Sequence, residues 1–86
     1  MVTIVEIHGK QIIGELEQLE SEPSIVLHDC YELITNIYED TELIKYPPYA
    51  EENICVFNSV HVTTIYQPSS AILDKYASAK PQLLLT

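Results

Sequence analysis

Three histidines, two cysteines and thirteen acidic side chains are the groups in this 86-residue chain that could do chemistry. His8, His28 and His61 are scattered, and Cys30 and Cys55 stand 25 positions apart. A structural zinc site takes four ligands in closely spaced pairs, so this spacing predicts no metal centre. Glu15, Glu17, Glu20 and Glu22 follow one another along a strand-like stretch, which spreads them over a solvated face. Glu39-Asp40-Thr41-Glu42 lacks the spacing of a calcium loop. Asp29 lies inside a β-rich run, where a structural carboxylate is expected. Two glycines cannot build a phosphate-cradling loop, and no serine sits in a nucleophile elbow. The expectation is no enzyme, no catalytic residue and no cofactor.

Charge narrows the partners. Four lysines (Lys10, Lys45, Lys75, Lys80) face thirteen acids, for a net charge of −9, and there is no arginine. Nucleic-acid binders draw most of their affinity from basic side chains on phosphates, with arginine favoured. DNA is therefore not expected as a partner, and RNA starts at a disadvantage. The two cysteines are too few for a disulfide scaffold, and Met1-Val2-Thr3-Ile4-Val5-Glu6 has neither a basic segment nor a long apolar one. Apolar runs such as Ile54-Cys55-Val56-Phe57 are too short to span a membrane. These features predict a cytoplasmic chain with reduced thiols and no membrane partner. A domain of this size buries only about 64% of its unfolded surface, so self-association is expected to complete the core.

The elements that would position these groups are mostly strands. Thr3–Ile7 is a short β-rich run, followed by a turn at His8-Gly9-Lys10. From Gln11 to Glu20, Ile12, Gly14 and Leu16 alternate with Glu15 and Glu17, the period of a half-buried strand. Ser21-Glu22-Pro23 makes a second turn. A long run from Ser24 to Tyr38 must bend strongly, because strands average about five or six residues. Glu39 to Pro48 reads as a polar loop, then Asn53–Phe57 and Val60–Tyr66 as strands joined by Asn58-Ser59. Pro68-Ser69-Ser70 starts a helix whose stripe is Ile72, Leu73, Tyr76 and Ala79, and Pro81 ends it. The apolar tail Leu83-Leu84-Leu85 is expected to dock with it. The organisation predicted is a β unit over 1–67 and a helix with its tail, packed on the barrel, over 68–86.

The stretch Gly9-Lys10-Gln11-Ile12-Ile13-Gly14-Glu15-Leu16, continued by Ile25-Val26-Leu27-His28-Asp29-Cys30, resembles the first signature motif of the Sm-like (LSm) family without a gap. Gly9, Gly14, Leu16, Leu27 and Asp29 carry the match, as structural positions. Ile54 to Val62 looks like the second motif, a strand, a short turn and a strand. The resemblance covers roughly residues 2–66. It implies a mostly β fold: a small, strongly bent, five-stranded SH3-like barrel, here with a C-terminal helix. The strand pattern already starts at residue 2, so the family's N-terminal helix is not expected. It also implies a closed homo-oligomeric ring, in which the fourth strand of one subunit pairs with the fifth of the next. The interface would then hold Ile54, Val56, Phe57, Val60, Val62 and Thr64.

Sm-like rings bind uridine-rich single-stranded RNA at the pore, and there this chain departs from the pattern. The stacking aromatic or histidine is replaced by Glu22, which repels phosphate, and the base-reading asparagine by Ser24. The second pore turn, Arg-Gly or Lys-His in the family, is Asn58-Ser59. The expectation is a ring with structural or protein-interaction duties and weak or altered RNA binding. The alternative is a genuine single-stranded RNA-binding ring that uses another surface. A generic SH3-like or OB-like module is a third reading, against which the gapless first motif counts.

Overall fold

The computed structural model describes residues 1–17 and 24–79. Its elements are β1 (Val2–Ile7), β2 (Lys10–Glu17), β3 (Ser24–Thr35), β4 (Thr41–Lys45), β5 (Ile54–Asn58), a 3-10 turn (Ser59–His61), β6 (Val62–Tyr66) and α1 (Ser70–Ala79). All pairings are antiparallel, in the order β4-β3-β2-β1-β6, with β5 also on β3. Among the described residues no helix is long and apolar enough to cross a membrane.

The strand count is six and not five, because the expected polar loop contains β4. Asn36 ends β3 by capping the chain reversal itself. Its Oδ1 accepts from Tyr38 N at 2.9 Å and Asp40 N at 3.1 Å, and Glu39 takes a φ of 64°. The flanking pairs Leu33-Ile34 and Leu43-Ile44 were the hairpin signal that composition hid. Similarly, β6 begins at Val62, since Ser59–His61 form the 3-10 turn. The sheet is left unclosed by backbone pairing among the described residues, as β5 and β6 share no ladder.

The two glycines have different tasks. His8 (φ 50°) and Gly9 (φ 76°) form a two-residue hairpin loop of the left-handed kind that matches strand twist. Gly14 faces the bend of β3. Ile13 pairs with Tyr31 and Glu15 with His28, so β3 holds one more residue than β2 there, a bulge with Asp29 at φ 54°. A Cβ on Gly14 would lie 2.9 Å from the His28 carbonyl oxygen and 3.1 Å from Leu27 Cβ. Gly14→Ala is expected to cost about 1–3 kcal/mol in a urea melt, through a clash that backbone must absorb. Gly9→Ala meets nothing within 4 Å and pays only its left-handed strain, about 1–2 kcal/mol. Equal wild-type stability for Gly14→Ala would show that the bend needs no close approach.

Pro47 and Pro48 cannot donate to a ladder, so the chain leaves β3 at Tyr46 and rejoins it at Ile54. The excursion is fastened to the bulge. Tyr46 N and Asn53 Nδ2 both donate to the Cys30 carbonyl (3.1 and 3.2 Å), and Cys30 N donates to the Asn53 carbonyl (3.1 Å).

Both faces of the sheet are covered, which explains why Ile13 is as buried as Ile12, contrary to the single apolar face expected for β2. Val5, Ile7, Ile12, Leu27, Cys30 and Cys55 form one cluster, with Leu16, Phe57 and Val62 against it. Ile4, Ile13, Tyr31 and Tyr76 form the other, on the opposite side chains of the same strands. The helix supplies that second cover through Tyr76 and Ile72, whereas Leu73 and Ala79 of the expected stripe are exposed. Ser69 starts it: its carbonyl accepts from Leu73 N at 2.9 Å and its Oγ from Ile72 N at 3.4 Å. The leucine tail lies outside the described residues.

Candidate functional site

The pore positions of the Sm-like pattern divide. Glu22 lies outside the described residues. Ser24 and Asn58 are register partners at one end of the β3–β5 ladder, and Ser59 follows at once. Asn58 is committed locally: its Oδ1 accepts from Val60 N at 3.0 Å and caps the 3-10 turn. That geometry gives Asn58 a structural role of its own.

The expected interface residues fall into two groups. Ile54, Val56, Val60 and Thr64 are exposed, Val56 at 65%. Phe57 and Val62 are half-buried against the first cluster and belong to the core. Val62 N also donates to the Ser59 carbonyl, so a proline there would break the turn before it touched the strand edge. Ile65 and Tyr66 are further exposed apolar residues on β6 that strand alternation did not single out. Burial, with the charge of Glu6, pushes the Tyr66 phenol upward, so it stays neutral at physiological pH.

The sheet's margins differ. Lys75 Nζ donates to the Thr41 carbonyl at 2.9 Å, so α1, which covers the second cluster, also reaches the start of β4. Neither β5 nor β6 has a second strand beside it among the described residues. Among the described residues two strand edges have no neighbour, and α1 touches the third through Lys75.

The potential nucleophiles are packed away. Cys30 Sγ donates to the Leu27 carbonyl at 3.1 Å, and the Cys55 thiol within reach, together with burial, pushes the Cys30 thiol far above the ordinary range. Among the described residues no three histidine, cysteine or acidic side chains converge on a metal position. His28 Nε2 lies 3.4 Å from Glu17 Oε2, an exposed pair of little energetic weight.

Two clefts remain. One of about 490 Å³ sits at the bend of β3 and is lined by His28, Asp29, Lys45, Glu51 and Glu52. The other, about 410 Å³, lies between the β1–β2 turn, β5 and the 3-10 turn. It brings His8, Lys10 and Tyr46 together with Asn58 and His61, a convergence that sequence separation concealed.

Residues 1–80 match a family model described as "Family of unknown function (DUF6561)". No curated protein matches the chain.

Proposed function

The chain belongs to DUF6561, a family of unknown function, and from its own residues we propose that it is the subunit of a closed homo-oligomeric ring with a structural or protein-interaction role. In this reading it is a divergent Sm-like barrel and no enzyme. The edge of β5 in one subunit pairs with the edge of β6 in the next, and that contact closes what each subunit leaves open. The observation that carries the proposal is the pair of strand edges, on β5 and β6, left without a neighbour among the described residues. Unpaired strands invite association, and soluble proteins ordinarily guard them. Here Lys75 of α1 occupies the Thr41 carbonyl of β4, where Ile44 is exposed, while β5 and β6 present Ile54, Val56, Ile65 and Tyr66 beside edges that no strand pairs among the described residues. A heterologous contact of this kind closes into a ring when its rotation allows.

Light scattering over a wide dilution range tests it. The expected result is one particle several times the subunit mass at every concentration; a stable folded monomer would sink the proposal.

Weak RNA binding belongs to the same reading. Glu22, Ser24, Asn58 and Ser59 offer no cation and no stacking ring, and a lost stack alone removes about 1–3 kcal/mol per base. Oligouridine titrated at physiological salt is expected to bind no tighter than the non-specific range of about 1–100 μM. Submicromolar, steeply salt-dependent binding would instead favour the alternative, an RNA-binding ring that uses another surface.

A further inference from the structure

Thirteen acids are spread over this chain, yet among the described residues none lines the cleft between the β1–β2 turn, β5 and the 3-10 turn. That cleft gathers two of the three histidines and one of the four lysines. The rings of His8 and His61 are 5.5 Å apart, centre to centre, and tilted by 37°. At that spacing one phosphate group can accept hydrogen bonds from both. Lys10 Nζ lies 5.5 Å from the centre of the Tyr46 ring, which places its ammonium at the cleft wall. Asn58 keeps its carbonyl oxygen on Val60 N, which leaves its amide NH₂ as a further donor. Beneath these polar groups, Tyr46 and Phe57 pack against the first apolar cluster and give the cleft a firm apolar wall.

We propose that this cleft is a binding site for a small phosphate monoester carrying a planar ring, with His8, Lys10, His61 and Asn58 on the phosphate and Tyr46 and Phe57 against the ring. The volume of about 410 Å³ lies within the range of small-ligand sites, about 300–1,000 Å³. The net charge of −9 does not prevent it, because charges beyond about 8 Å are largely screened at physiological salt. Local donors then decide. The same charge argues for a single dianion over a polymer, whose further phosphates would add repulsion without adding donors. The cleft at the β3 bend is the internal contrast: it sets Asp29, Glu51 and Glu52 against Lys45 and should take no anion. All the donors come from one subunit, while Val56, which lines the same cleft, also belongs to the proposed ring contact.

The test is a titration of the full-length wild-type chain with uridine monophosphate, uridine and inorganic phosphate. Binding is read by calorimetry and by the ring resonances of the three histidines. The monophosphate should move the His8 and His61 signals and leave His28 in place. Uridine and inorganic phosphate should each bind at least about tenfold more weakly, as expected when a charged contact or a stacked ring worth about 1.4 kcal/mol is missing. Lys10→Glu and His61→Gln are exposed changes and should each lower affinity about tenfold with an unchanged melting temperature, whereas His28→Gln should change nothing. Signals unmoved at millimolar monophosphate, equal shifts at all three histidines, or uridine binding as well as its monophosphate would each overturn the assignment.

Discussion

Replacing Tyr76 with alanine is expected to lower the unfolding free energy by about 3–5 kcal/mol, the range for a buried aromatic truncated to a methyl group. Tyr76 is 2% exposed and is the buried residue of α1. Its ring meets Tyr31 edge to face at 5.9 Å, with the planes at 85°. Its hydroxyl donates to the Asp29 carbonyl at 2.9 Å, so one side chain ties the helix to the bulge of β3. Tyr31 reciprocates by donating to the Ala79 carbonyl at 3.0 Å. A domain of this size has only about 5–15 kcal/mol to lose, so the alanine variant should be partly unfolded near body temperature. Tyr76→Phe keeps the ring and should cost about 1–3 kcal/mol, the penalty of an acceptor left without its donor. Urea melts of both variants check this, beside a chain truncated after Gln67 that should fall to the level of the alanine variant. Midpoints equal to wild type would show that α1 is a passenger.

The same contact carries a pH dependence. Burial first, then the neighbouring charge of Asp29, raises the Tyr76 phenol above its ordinary value. An acid whose folded pKa is raised prefers the neutral form in the native state. Its contribution is therefore fully present below the ordinary tyrosine value of about 10 and is lost as pH rises beyond it. Tyr76→Phe removes that part of the alkaline destabilisation.

The second large effect concerns the ring. Val56→Glu on β5 and Ile65→Glu on β6 are each expected to abolish assembly, because a heterologous contact uses one edge from each subunit. Val56 is 65% and Ile65 45% exposed, so both glutamates sit in water in the isolated subunit and should leave its circular dichroism unchanged. In the assembled state each would bury a carboxylate within an already acidic particle, at a cost of several kcal/mol per contact. Mixing the variants is the sharper measurement. Val56→Glu keeps a sound β6 edge and Ile65→Glu a sound β5 edge, so an equimolar mixture should form a dimer and stop there. Single variants that still form rings would exclude this pairing, and a mixture that forms no dimer would exclude its head-to-tail sense.

Much of the architecture was legible in the chain. The His8-Gly9 turn, the alternation after it, the β-branched run ending at Tyr66 and the Ser69 cap each signal their element within a few residues. Those signals are local, because they depend on backbone preference and on the period of one segment. Gly14 and Asp29 were recognised as a pattern, but their reason is a contact: a bulge on β3 that leaves no room for a Cβ on β2. The strand β4 was hidden inside a polar, proline-containing stretch, since its partner β3 and not its composition makes it a strand. Exposure along β5 and β6, the covering of Ile13 by Tyr76, and the guarding of Thr41 by Lys75 all depend on what lies opposite. The gathering of His8, Lys10, Tyr46, Asn58 and His61 is of the same kind. Residues up to 53 positions apart meet there because β6 returns to pair with β1, bringing the turn before it against the β1–β2 loop. Strand type is fixed by neighbours along the chain, but edges, faces and clefts are fixed by neighbours across it, and those only the folded sheet supplies.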